Sequence, residues 1–204
     1  MNLFLVGATG GIGRHLVKLA LNHGHSVTVF ARSPEKLGIT HDRLRAIQGD
    51  LFDADEMAAS LQGHDAVLSS FGPATLKDCT LRRDFGRTLA SALRKSGVRR
   101  FQLVSSALLF PDGNFVSRAL QTTVFRRMLP DMAAMEAEVR QGDLDWTIVR
   151  PPRLTNGRAK HSYRIADGHL PKNGFLISRA DVAHFMMEEA EKPTHLKQIV
   201  GVAN

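Results

Sequence analysis

The chain has 204 residues, 43% hydrophobic and 23% charged, an ordinary globular composition that is long enough for one full core and short for two. A formal charge of +7 raises the question of nucleic acid, but Lys and Arg are scattered and only one Trp and one Tyr are available for base stacking; a small phosphate-bearing ligand accounts for the basicity better, and no nucleic-acid partner is expected. No apolar run approaches the ~18 residues of a membrane span, the start runs into a strand pattern without a signal peptide, and the lone Cys79 has no disulfide partner, so a cytoplasmic protein with no membrane partner is the expectation.

The chain opens on Leu3-Phe4-Leu5-Val6-Gly7-Ala8-Thr9-Gly10-Gly11-Ile12-Gly13, an apolar run that breaks into glycines and then into an amphipathic helix pattern. Ile12, Leu16, Leu19 and Ala20 share one face, while Arg14, His15 and Lys18 face water. Strand, tight turn and helix in that order are the setting of a dinucleotide-binding turn. A backbone that lies against a pyrophosphate has no room for Cβ, and the helix aims its first amides at the phosphates. Gly7, Thr9, Gly10, Gly11, Ile12 and Gly13 are therefore candidate cofactor residues.

The second strand, Ser26–Phe30, runs into Ala31-Arg32-Ser33. An acidic residue about 20 positions past the glycines binds the adenine-ribose 2′-hydroxyl of NAD, whereas Arg there accommodates the 2′-phosphate of NADP. Arg32 thus points to NADP(H); as a competing reading it is a solvated charge beside a short helix with Ser33 at its N-cap and Pro34 at N1. The third strand, Leu44–Gln48, ends in Gly49-Asp50-Leu51, with Asp53 capping the next helix. Asp50 and Leu51 sit at a strand's carboxyl end, where they would flank the adenine. The fourth strand, Ala66–Ser70, leads to Phe71-Gly72-Pro73, either a plain turn or a backbone approach to the middle of the cofactor.

A helix with Phe85, Leu89, Ala92 and Leu93 on one stripe closes at Gly97. The fifth strand, Phe101–Val104, delivers Ser105 and Ser106. Residues 108–131 break the rhythm as an irregular insertion, placed where loops carry substrate contacts. A helix over about 131–141 precedes the strand Trp146–Val149, which ends in Arg150-Pro151-Pro152-Arg153. Beyond it stand Arg158, Lys160, His161, Tyr163 and Arg164, then a capping box at Ser178-Arg179-Ala180-Asp181 and a last strand, Gln198–Val202. The alternation predicts an α/β, doubly wound parallel sheet in a single domain spanning 1–204, with a small substrate region formed by about 108–131 and 151–178. The histidines show no metal-ligand spacing with carboxylates, His23 and His25 read as part of a polar turn, and no metal is expected.

Taken together, Gly7–Gly13, Arg32, Gly49-Asp50, Val104-Ser105-Ser106-Ala107, Trp146–Pro151 and Ile177–Ala183 resemble the atypical short-chain dehydrogenase/reductase superfamily. The likeness is to its small NAD(P)H-binding branch of biliverdin-IXβ/flavin reductases and NmrA-like proteins. It implies a Rossmann-type fold, with Ser106 or Ser105 and Pro151 near the nicotinamide. Typical members of the superfamily carry a Tyr-x-x-x-Lys pair on the helix before the strand that begins here at Trp146, yet residues 120–142 hold neither Tyr nor Lys. Where the flavin reductase branch can place a histidine after the double proline, this chain has Arg153. The expected activity is NADPH-dependent hydride transfer to a small planar acceptor, flavin, quinone or related, by a monomer or small homo-oligomer. Ser106 would position nicotinamide or substrate and Arg153 would stabilise developing anion; the competing readings are a hydroxyl that satisfies backbone and a solvated charge. The alternative function is a non-catalytic NADP(H)-sensing regulator, with a sugar-nucleotide epimerase a weaker third.

Overall fold

A computed structural model describes residues 1–72, 80–111 and 125–204. Cys79 and most of the irregular insertion therefore lie outside the described residues. The apolar runs form strands β1 (Asn2–Val6), β2 (Ser26–Ala31), β3 (Leu44–Gln48), β4 (Ala66–Ser69), β5 (Arg100–Val104) and β6 (Asp145–Arg150). Three short strands follow, β7 (Arg153–Thr155), β8 (Arg164–Asp167) and β9 (Leu176–Ser178), before β10 (Gln198–Ala203). The helices are α1 (Gly11–Asn22), α2 (Ala54–Leu61), α3 (Leu81–Ser96), α4 (Met128–Val139) and α5 (Arg179–Glu191).

The main sheet has the order β3-β2-β1-β4-β5-β6-β10-β8. All its pairings are parallel except that of β8 with β10. This is a Rossmann-type sheet whose strand order reverses between β1 and β4, the crevice where ligands of open α/β sheets bind. A strand covered on both faces is largely apolar, and in β1 the run Leu3–Val6 is fully buried. Leu3 and Leu5 pack with Leu16 and Val17 of α1 and Val182 and Phe185 of α5. Phe4 and Val6 face the other way, with Met57 of α2, Phe85 and Leu89 of α3, and Met135 of α4.

End signals read from the sequence are realised at α2, α3 and α5. Asp53 accepts from the amides of Asp55 and Glu56, Gly97 ends α3 at φ +76°, and Ser178 accepts from the amide of Asp181. Other expectations shift. On α1 the buried stripe runs through Val17 and Leu21, with Leu19 only partly covered. Helix α4 begins at Met128 rather than near 131, and Asp131 in its first turn caps a different helix: its carboxylate accepts from the amides of Arg82 and Arg83 at the start of α3. Ser33 makes no side-chain cap to the 3₁₀ turn Pro34–Leu37. The sheet is also not wholly parallel, since antiparallel β8 closes its edge and β7 and β9 form a separate parallel ribbon. These are strands of three or four residues with largely open faces, too short to show a period of two in sequence.

Gln102 sits mid-β5, 1% exposed, and both its amide oxygen and nitrogen lack a hydrogen-bond partner among the described residues. Burying an unpaired amide costs about 1–3 kcal/mol. Gln102→Met keeps the volume and removes the polar atoms, so it is expected to raise unfolding stability by about 1 kcal/mol, measured by urea denaturation with an unchanged slope.

Candidate functional site

The turn after β1 is built by close backbone approach. Gly7 has φ +78°, and a Cβ there would lie 2.6 Å from the carbonyl carbon of Ser70, just past β4. At Gly13 a Cβ would come within 2.3 Å of the Gly7 oxygen. The Gly10 amide donates to that oxygen at 3.0 Å and the Ser70 hydroxyl at 3.2 Å. Helix α1 then starts at Gly10 with no side-chain cap and no acidic residue in its first turn, so its leading amides are left for an anion. Side chains at Gly7 and Gly13 would collide with main chain and prevent this turn, and the uncapped amides it presents suit an anion such as a pyrophosphate.

Two arginines hold this turn, neither identified in that role from the sequence. Arg14 reads as a solvated residue of α1, yet its guanidinium donates to the carbonyls of Thr9 (3.1 Å), Leu37 (2.7 Å) and Lys36, tying the glycine turn to the 3₁₀ turn. Arg179, the first residue of α5, lays its side chain over Gly11, where a Cβ would be 2.5 Å from its Cδ, and donates to Asn156 Oδ1 at 2.7 Å. The capping box at 178–181 predicts the helix that carries Arg179; its meeting with Gly11 depends on α1 and α5 lying side by side, which a linear pattern does not encode.

The remaining predicted residues gather on the same edge, each just past a parallel strand. Arg32 follows β2, exposed and without an ion pair among the described residues. Asp50 follows β3 and is engaged locally: its carboxylate accepts from the Phe52 amide, and its own amide donates to Glu56 Oε2 at 2.9 Å. Leu51 and Ile12 turn their side chains into the core, so only their backbones face the cleft side. Phe71 follows β4 and stacks on Phe85 at 4.2 Å, while a would-be Cβ at Gly72 meets nothing within 4 Å among the described residues.

Past β5, Ser105 donates its amide to Val149 O at 2.7 Å, and Ala107 donates to Pro151 O at 2.9 Å, a seam that sets the two serines beside the double proline. The Ser105 hydroxyl is buried with no hydrogen-bond partner among the described residues. That of Ser106 accepts from the Leu108 amide at 3.2 Å, the backbone-satisfying role, and keeps its own proton to donate. Beneath the seam, Arg150 pairs with buried Glu136 through two bonds of 3.0 and 2.6 Å and covers the Phe110 ring. Arg153 opens β7, exposed and without an ion pair among the described residues.

The basic residues farther on divide. Arg158 and Lys160 line a cavity of about 360 Å³ with Thr155, Phe175 and Leu176. Arg164 is tied to the carbonyls of Lys172 and Asn204. Tyr163 donates to Glu188 Oε2 at 2.6 Å and contacts His184, and burial together with the Glu188 carboxylate pushes its phenol up, out of the range of proton exchange at neutral pH.

A family model described as NAD(P)H-binding matches residues 7–193, beginning at the first glycine of the turn. The chain belongs to this NAD(P)H-binding family. It is 31% identical to the uncharacterised sugar epimerase YhfK of Bacillus subtilis, over 90% of this chain and 85% of the relative. Among solved structures it is similar to the anaerobillin reductase ChuY of Escherichia coli O157:H7, with TM-score 0.80 and 25% identity over 100% of this chain and 97% of the other. It is also similar to a Streptococcus pneumoniae protein described as a candidate NADH-flavin reductase, with TM-score 0.77 and 25% identity over 100% and 99% of the two chains.

In this NAD(P)H-binding chain the loop between β7 and β8 is anchored by Asp181. Its fully buried carboxylate accepts from the Lys160 and His161 amides at 2.8 and 2.9 Å and from the Ser178 hydroxyl at 2.7 Å. Burial acts to raise its pKa, but the three hydrogen bonds outweigh it and hold the carboxyl below its ordinary value. A depressed folded-state pKa gives stability that is present above the ordinary carboxylate range, about pH 4, and is lost as pH falls through the folded value. Asp181→Ala is therefore expected to cost about 3 kcal/mol at pH 7, a gap from wild type that narrows in unfolding curves recorded toward pH 3.

Proposed function

We propose that the chain is an NADPH-dependent reductase that passes hydride to a small planar acceptor such as a flavin or quinone. The observation that carries this reading is the row of predicted residues on the carboxyl edge of β1 to β6: an uncapped glycine turn at one end, Arg32 beside it with no ion pair among the described residues, and the serine–proline seam with Arg153 beyond. Gly10, Gly11 and the first amides of α1 would receive the pyrophosphate, with Arg179 closing over Gly11. Arg32 would take the 2′-phosphate; no Asp or Glu stands at the end of β2 to prefer a free 2′-hydroxyl. Asp50 and the backbone at Leu51 would flank the adenine, and Phe71-Gly72 the middle of the cofactor.

Bound there, the dinucleotide supplies two electrons and a hydrogen as hydride from its nicotinamide. The chain's own contribution is orientation. Among the described residues the buried Ser105 hydroxyl has no partner and the Ser106 hydroxyl proton has no acceptor, and both would sit where a carboxamide or an acceptor atom is hydrogen-bonded. Arg153 would draw in an electron-poor or acidic acceptor and stabilise the negative charge that reduction develops, while solvent supplies the balancing proton. Acceptors that delocalise this charge suit a site in which residues 120–142 offer no Tyr or Lys for proton transfer. The flavin and bilin chemistry named for the structural relatives supports the same acceptor class. That missing pair also favours the second reading, a sensor that binds NADP(H) without turnover. A soluble cytoplasmic setting fits this reductant.

The test is loss of nicotinamide absorbance with NADPH or NADH against FMN, riboflavin, quinones and biliverdin. Turnover with NADPH preferred is expected. In Arg32→Ala, KM for NADPH should rise about tenfold or more, as for loss of a charged hydrogen bond of about 1.5–3 kcal/mol, with NADH unchanged. Dinucleotide binding with no turnover across the panel would instead establish the sensor.

A further inference from the structure

Among the described residues, one group of nitrogen and carboxylate ligands converges outside the cleft. His23 is the C-cap of α1, Gly24 at φ +87° reverses the chain, and His25 leads into β2. The turn carries both imidazoles to the last residue of α5, Glu191. His23 Nδ1 and His25 Nε2 each lie 2.8 Å from the same oxygen, Glu191 Oε1, and the ligand atoms of all three residues are within 4.8 Å of one another. Tetrahedral zinc with ligand bonds of about 2.0–2.2 Å needs ligand atoms roughly 3.3–3.5 Å apart. Small side-chain rotations therefore convert the hydrogen-bonded trio into a coordination shell.

A second observation points to a cation at this spot. Two helices, α1 and α5, end here side by side, each with the negative end of its dipole, and neither has a Lys, Arg or His in its last turn. Lys192 follows α5 but is exposed and makes no ion pair among the described residues.

We propose that His23, His25 and Glu191 form a site for one zinc ion or a similar late first-row divalent cation, with a fourth position left to water. Two imidazoles and one carboxylate select such a metal over magnesium or calcium, which take all-oxygen shells. The site lies at the far end of α1 from the glycine turn, roughly 18 Å along a helix of this length. Its effect is to pin α1 to α5 and not to take part in the cleft's chemistry.

The experiment is titration of chelator-treated protein with zinc chloride by calorimetry, and with cobalt(II) by its visible absorption, magnesium serving as the control. One equivalent is expected to bind, and zinc at about a hundredfold excess over Kd should raise the unfolding temperature by about 5–10 °C. His23→Ala, His25→Ala and the isosteric Glu191→Gln should each weaken binding by about tenfold or more, while retained dinucleotide binding shows that the variants are folded. A His161→Ala/His184→Ala double variant, which removes the neighbouring histidine pair, should bind as wild type. Zinc binding that is absent, that survives the three substitutions, or that also requires His161 and His184 overturns the assignment.

Discussion

Everything at the carboxyl edge depends on one steric constraint: the chain leaving β1 must pass under the start of α1 and against the end of β4 with no side chain between them. A Cβ at Gly13 would sit 2.3 Å from the Gly7 oxygen, and one at Gly7 would meet the Ser70 backbone at 2.6 Å. Distances of that kind are not relieved by side-chain rotation, because both partners are main chain. The constraint fixes how closely α1 approaches the sheet, which aims the helix's unpaired amides into the crevice where strand order reverses. The arginines act on top of this: Arg14 ties the turn to residues 36 and 37, and Arg179 lies over it from the last helix.

Much of this was legible in the chain because the governing signals are local. A strand covered on both faces reads as a near-continuous apolar run, and Leu3–Val6, Val27–Phe30 and Trp146–Val149, the last two broken only by a threonine, all became central strands. Glycines forced by backbone contact announce themselves at 7 and 13, and caps such as Asp53 and Ser178 are bonds spanning three residues. The alternation of strands and helices predicts the doubly wound sheet, whose first six strands pair in parallel; the order in which they lie side by side comes from the structure.

What the sequence withheld comes from pairings distant along the chain or from elements too short to repeat a pattern. Asp131 looked like the beginning of a helix, and it is the cap of another helix nearly fifty residues upstream. Arg14 and Lys18 read alike as solvated residues of α1, yet only Arg14 has carbonyls within reach, on a turn 22 and 23 residues away. Glu136 carries no hint of its partner until β6 brings Arg150 beside it in a buried pair. Such a pair adds little net stability, since desolvation offsets attraction, but a single geometry satisfies it, and so it locates the end of β6 under the serine seam.

The overlap of Arg179 with Gly11 has a bearing on how the protein is made. A ribosome releases the glycine turn first and the helix that covers it only after most of the chain has been synthesised. Until then the face of α1 formed by Leu16, Val17, Ala20 and Leu21 lacks Val182, Phe185 and Met186, the residues of α5 that share its core. The nascent amino-terminal half therefore carries an exposed apolar stripe, and its glycine turn stays uncovered, until α5 has been made. Such a chain is exposed to aggregation while its amino-terminal helix is uncovered.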